Sequence, residues 1–359
     1  MSWFAETPSR LEARMKLSTV PLDYGSLGAA AAHRQQHLIT NISTVAQAGA
    51  HLWLASDEGF SVERLSWDGR RYGKAASYDL SFYFPLPKGD KEIDIEALSI
   101  DRDRLWIAGS HSLVRPKPDP DALSQDFLKD LAIIARRPRR YLIGRLALSD
   151  GGGKILSPPD GRAPCLPFEK AGNSLTHALG TDRHLSSFMG LPDKENGLDI
   201  EGLAAKGDAL FLGLRGPVIR GHAVILQIAL EDAKSGLKLA CIGARRAPYR
   251  KFFLDLGGLG IRDLTMESED LIIIAGPTMG LTGPWAVWRW KKALGARREG
   301  LVDSDALKLV SGLDFAGPER PEGITRFLHP DGRRGWLVVY DGPAKSRVKK
   351  GIYRADFFS

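Results

Sequence analysis

The chain has 359 residues, 43% hydrophobic, 26% charged and 8% aromatic, and its 50 lysines and arginines outnumber its 43 aspartates and glutamates to leave a net charge of +7. This is the composition of a soluble globular protein. No run approaches the roughly 18 apolar residues of a membrane span, and the opening Met1-Ser-Trp-Phe-Ala-Glu-Thr-Pro8 has no charged-then-apolar leader pattern, so a cytoplasmic protein with no membrane partner is expected.

In chain order, the stretch around Leu17 to Leu22 is expected to supply a strand that closes a ring, because the elements after it repeat. Asn41-Ile-Ser-Thr-Val-Ala turns into Leu52-Trp-Leu-Ala, and Gly59-Phe-Ser-Val-Glu-Arg-Leu-Ser-Trp follows as a third, half-buried strand. Ile95-Glu-Ala-Leu-Ser-Ile turns into Leu105-Trp-Ile-Ala. The segment 119–138 then opens with Asp-Pro, ends in Arg-Arg-Pro and spaces Leu123, Phe127, Leu131 and Ile134 at helical intervals. It reads as an inserted amphipathic helix whose stripe either packs on the outside of a sheet or meets a protein partner. Arg140-Tyr-Leu-Ile-Gly-Arg-Leu-Ala-Leu restores the third strand, and residues 151–196, rich in Gly, Pro and Asp, form either a degenerate repeat or an elaborate loop.

Ile200-Glu-Gly-Leu-Ala-Ala, Arg262-Asp-Leu-Thr-Met and Pro321-Glu-Gly-Ile-Thr-Arg begin the last three copies, with Leu210-Phe-Leu-Gly, Leu271-Ile-Ile-Ile-Ala and Trp336-Leu-Val-Val-Tyr as their second strands. The anchors Trp53, Trp106, Phe211, Ile272 and Trp336 lie 53, 105, 61 and 64 residues apart. Short strands repeated at this period predict an all-β chain, one β-propeller domain over 1–359. The doubled interval sets the count at six blades, or five with a large insertion. A βαβ fold is excluded, since no long amphipathic helices separate the strands. Trp53, Trp106 and Trp336 are expected in the core, and Cys165 and Cys241, which lack a CxxC partner, are expected as buried thiols.

Acidic residues head the repeats: Asp94 and Glu96, Asp199 and Glu201, Asp263, and Glu322, with Asn41 in the first copy. In a propeller these positions converge on one mouth of the central channel, where like charges raise each other's pKa values. A hard cation such as Ca²⁺ would relieve the repulsion, and so would Arg215, Arg220, Arg262 and Arg320 nearby. The set is therefore either a salt-bridged plug or a metal- or ligand-binding funnel. His111 and His222 follow the same segments and are either bystanders or proton-transfer groups.

The segments Leu198-Asp-Ile-Glu-Gly-Leu-Ala, Ile93-Asp-Ile-Glu-Ala-Leu-Ser and Leu212-Gly-Leu-Arg-Gly-Pro-Val resemble an uncharacterised bacterial family, domain of unknown function 3616, over roughly residues 35–356. More distantly they resemble the phytase-like propellers, in which a Glu-Gly-Leu or Glu-Ala-Ile strand start recurs. The first resemblance implies a propeller and no activity. The second implies Ca²⁺-assisted phosphoester hydrolysis of a small anionic ligand. Glu96, Glu201 and Glu322 would match the motif glutamates, and Asp94, Asp199 and Asp263 would join them around the metal. Arg215 or Arg220 would neutralise the phosphate, and His111 would serve as a proton-transfer group. The chain departs from that pattern at Arg262-Asp263 and at Asn41.

Other chemistries are narrowed out. Gly69-Arg-Arg-Tyr-Gly-Lys-Ala is one residue short of a phosphate loop, Gly257-Gly-Leu-Gly-Ile-Arg lacks the third glycine of a dinucleotide fingerprint, and neither a Gly-x-Ser-x-Gly turn nor a His-Glu-x-x-His helix occurs. Basic clusters at 136–140, 245–251 and 345–350 are scattered and interleaved with acids, so no nucleic-acid partner is expected. Two functions remain: a ligand-binding or metal-dependent hydrolase-like funnel, and a non-catalytic scaffold that presents Leu123, Phe127 and Leu131 to a protein partner.

Overall fold

Alternating apolar residues in each repeat become strands buried on both faces between neighbouring sheets, since side chains on a strand point to opposite sides in turn. The computed structural model describes residues 17–27, 38–87, 92–121, 123–310, 315 and 319–359. The opening octapeptide, read above for a leader, lies outside them.

Five inner strands, Ile42–Ala48, Ile95–Asp101, Asp199–Lys206, Gly260–Glu267 and Arg320–Leu328, each pair antiparallel with the strand that follows. Those second strands are His51–Ser56, Arg104–Gly109, Ala209–Ile219, Asp270–Gly276 and Arg334–Asp341. Outer strands extend every sheet, as His222–Ala233 and Arg250–Asp255 do in the third. Each inner strand packs against those of the sheets before and after it, and the first packs against the fifth, so the sheets close around an axis. The chain is a β-propeller.

Each gap between sheets holds its own apolar cluster. Trp53 and Ile107 fill the first gap, Trp106 and Leu212 the second, Phe211 and Ile273 the third, Ile274 and Trp336 the fourth, and Leu52 and Val339 the fifth. The three tryptophans expected in the core are at most 5% exposed. Inner-edge amides that a sheet leaves unpaired are taken up by side chains of the adjacent inner strand, which joins the sheets by hydrogen bonds as well. Leu98 N donates to Thr44 Oγ1 at 3.0 Å, Ala205 N to Ser99 Oγ at 2.9 Å, Ile324 N to Asp263 Oδ2 at 2.8 Å, and Leu328 N to Gln47 Oε1 at 2.7 Å.

Leu17–Asp23 closes the ring as expected. It runs antiparallel to Ile352–Phe358, with Leu17 opposite Phe358 and Asp23 opposite Ile352, and touches the first sheet where Leu22 faces Tyr72. The first strand of the chain thus covers the last, which would otherwise be an exposed edge.

Among the described residues the doubled interval contains no further inner strand of the repeat. A short ribbon, Leu113–Val114 with Ala135–Arg136, carries the helix Ser124–Leu131. Residues 151–196 form only a second two-residue ribbon, the helix Ser174–Leu179 and single turns. Their turn-forming residues break pairing, and Leu175, Leu179 and Leu185 pack into the gap between the second and third sheets instead. The insertion helix buries none of its residues, and Leu123 and Leu128 are 77% and 66% exposed, so its stripe covers no sheet. Cys165 is buried, whereas Cys241 is exposed, contrary to expectation. No helix among the described residues is long and apolar enough to cross a membrane.

Candidate functional site: the acidic mouth of the channel

All five inner strands share one irregularity. Their pairing slips by one residue near the start, leaving Ser43, Glu96, Glu201, Arg262 and Glu322 each opposite no partner. Such a bulge bends the strand and re-aims the unpaired side chain. Each sheet therefore contributes one side chain of this kind to the same end of the channel. The glycine after the glutamate in two copies has a packing reason: a Cβ on Gly202 would lie 2.8 Å from the Leu264 side chain, and one on Gly323 2.9 Å from Thr44 Cα. Without a side chain there, adjacent inner strands can approach. The register also corrects the alignment of the repeats, because Arg262 and Ser43, not Asp263 and Asn41, hold the glutamate position.

Arg262 is wedged between its neighbours in the ring. Its Nε lies 2.9 Å from Glu201, its Nη2 donates to Glu322, and its guanidinium sits 5.3 Å from the ring centre of Trp285. Arg215, skipped by a register slip within the second strand of the third sheet, reaches Asp199 at 2.8 Å and Glu201 at 2.7 Å. Arg140, delivered by the chain returning from the insertion, holds Asp94 at 2.8 Å and Glu92 at 3.0 Å. Arg320 pairs with Asp341 at 2.6 Å. Burial pushes the carboxyls of Asp94, Asp199 and Glu201 up, and the arginines pull them back only in part. Burial works against the charge of Arg215 too, but Asp199 and Glu201 outweigh it and hold the guanidinium protonated.

Glu96 and Asp57 have no such partner. Glu96 makes no hydrogen bond or ion pair among the described residues, and burial followed by the fields of Asp94, Glu201, Asp57 and Asp199 lifts its carboxyl well above the usual range. Asp57, at the end of the second strand of the first sheet, has an Oδ1 shut off from solvent with no hydrogen-bond partner. Its pKa is pushed up to about 8, by burial first and then by Asp94, Asp341 and Glu322.

Three expected participants are committed elsewhere. Asp263, expected as a metal ligand, is fully buried, accepts from the backbone amides of Leu264 and Ile324 at 2.7 and 2.8 Å and joins two inner strands. His111, expected as a proton-transfer group, is held in the scaffold too. It is 3% exposed, its Nδ1 lies 2.8 Å from Gly109 O and its Nε2 2.9 Å from Asn173 Nδ2. Burial lowers its pKa to about 4, so the ring stays neutral, with Nδ1–H donating and Nε2 accepting. Arg220 occupies the two-residue turn between Ile219 and His222, at the far end of the strand from which Arg215 reaches the mouth, and makes no ion pair with the mouth acids among the described residues.

Sequence reasoning missed Asp57, Asp341 and Arg140. The first two had a legible signal, since each ends or directly follows the second strand of its repeat. Arg140 had none: its place depends on how the insertion folds back. The donors do not fit a metal ion, for among the described residues no three His, Cys, Asp or Glu side chains converge on one point, and arginines occupy Asp94, Asp199, Glu201 and Glu322.

No curated protein matches this chain. Among solved structures it is similar to a glutaminyl cyclase from Myxococcus xanthus, at 10% identity and TM-score 0.41, covering 96% of this chain and 98% of that one. It is also similar to the PQQ-bound aldose sugar dehydrogenase from Streptomyces coelicolor, at 10% identity and TM-score 0.35, covering 96% and 99%. A third is the Cps50 β-propeller domain of a Myceliophthora thermophila protein, at 13% identity and TM-score 0.31, covering 89% and 96%. Likeness at this level transfers none of their chemistry. The profile of one sequence family, described as "Protein of unknown function (DUF3616)", matches residues 41–353, and the chain belongs to that family.

Proposed function

We propose that the channel mouth binds a positively charged ligand, and that Glu96 and Asp57 are the carboxylates that hold it. The uneven neutralisation of the ring carries this reading. Arg262 pairs with Glu201 and Glu322 on its two sides, while Glu96, between Ser43 and Glu201, feels Arg140, Arg215 and Arg262 only at a distance and makes no ion pair among the described residues. An incoming cation relieves that repulsion and gains the full attraction of a partly desolvated site. Phosphoester hydrolysis has less support. Arg215, the group expected to neutralise a phosphate, is already ion-paired with Asp199 and Glu201, and a phosphate would face the acids that lack an ion pair.

The test is a thermal-shift titration of the full chain with Ca²⁺, Mg²⁺, Mn²⁺ and small organic cations, with Glu96→Gln alongside. A saturable rise in Tm with at least one cation, absent in the variant, is expected from the linkage of ligand to the native state. No response to any cation overturns the reading.

The scaffold reading is kept for one observation: the insertion helix stands clear of the sheets with Leu123, Phe127, Leu128 and Leu131 all exposed. It involves a different surface, and both readings can hold together.

A further inference from the structure

Building on the cation reading of the mouth, we propose that the group seated between Glu96 and Asp57 is a guanidinium, borne by a small alkylguanidine or an arginine side chain, and not a metal ion. The mouth shows which cations it accommodates: its own arginines. Arg262 occupies one bulge position and spans carboxylates from the sheets on either side, while Arg215 and Arg140 each hold two acids of a single segment, Asp199 with Glu201 and Asp94 with Glu92. Around the ring, the Ser43–Glu96 side is where this pattern stops. Ser43 is too short to supply a charge, and its hydroxyl donates to Ile95 O at 2.5 Å. The carboxylates left over belong to neighbouring sheets, Asp57 to the first and Glu96 to the second.

A metal ion needs several donors converging on one point, and none of the described groupings offers three. A guanidinium instead presents five N–H donors in a planar fork and bridges carboxylates that do not share a centre. The Oδ1 of Asp57, closed to solvent and without a hydrogen-bond donor, is an acceptor still to be filled. Arg320 is no substitute: its side chain is 56% exposed and already pairs with Asp341.

Isothermal titration of the full chain with agmatine, with acetyl-Ala-Arg-Ala-amide and with CaCl₂ tests the proposal, and Glu96→Gln and Asp57→Asn are titrated in parallel after circular dichroism confirms their folds. At least one guanidinium compound is expected to bind saturably and more tightly than Ca²⁺, weakened on the order of tenfold or more in each variant. Agmatine binding alone identifies a small-molecule site, and peptide binding an arginine side chain. Ca²⁺ binding as tight as or tighter than both guanidinium compounds overturns this proposal while leaving the cation reading standing. Guanidinium binding undiminished in both variants overturns the assignment to Glu96 and Asp57, and no binding of any kind overturns both readings.

Discussion

Asp57 illustrates what one unneutralised carboxyl does to a fold. Burial, then Asp94, Asp341, Glu322 and Glu58, push its pKa up to about 8, and burial followed by Glu322 pushes Asp341 up to about 6 despite Arg320 and Arg262. Both groups hold a proton in the folded chain over a range where the unfolded chain has released it. Their effect therefore favours the folded state at low pH and turns against it as pH rises from about 4 through about 8. Asp57→Asn removes the ionisation, so it should raise Tm at pH 8 by roughly 3–6 °C more than at pH 5, the linkage over those three pH units amounting to at most about 4 kcal/mol. Scanning calorimetry at the two pH values measures this, and an equal change at both would contradict the assignment. The same pressure explains the arginines: removing one from a buried pair leaves an uncompensated charge, which costs far more than the pair itself contributes.

Among the elements, the insertion helix and the inner strands stand at opposite extremes. Ser124–Leu131 is helical for local reasons, with good helix formers between Asp119-Pro120 and the later Arg136-Arg137-Pro138, but nothing in the ring needs it packed. Leu128→Lys should therefore leave the unfolding free energy within about 0.5 kcal/mol of the parent, whereas Phe211→Ala, at a fully buried position, should cost about 3–5 kcal/mol. Comparable losses from the two substitutions in urea melts would show that the helix is packed after all. The inner strands have the reverse logic, because their bulges become useful only when five strands face one axis.

For the whole molecule, closure is the decisive contact. Val20 and Leu22 are 1% and 0% exposed in the cluster joining the fifth sheet to the first, and their strand covers the edge of Ile352–Phe358. A variant lacking residues 1–23 loses about 1.5–3 kcal/mol for each of these two side chains and uncovers that edge. A lower Tm and concentration-dependent association in sedimentation velocity are expected, and a monomer with unchanged Tm would show that the ring does not depend on this strand.

The sequence by itself determined the all-β class, the five two-strand units, the tryptophan core and the closing role of Leu17–Asp23, since strand alternation and repeat spacing are local patterns. It also marked Glu96, Glu201 and Glu322 as companions, because they head like segments. Only the tertiary structure decided that Arg262 and Ser43 complete the set of bulge residues and that Asp263 and His111 are held by hydrogen bonds within the scaffold. It alone brought Arg140 across the insertion to Asp94 and left Asp57 and Glu96 without an ion-pair partner among the described residues. A one-residue slip in pairing changes which side chain faces the axis, and the neutralisation of each acid depends on partners tens of residues away, so both follow from how the strands meet.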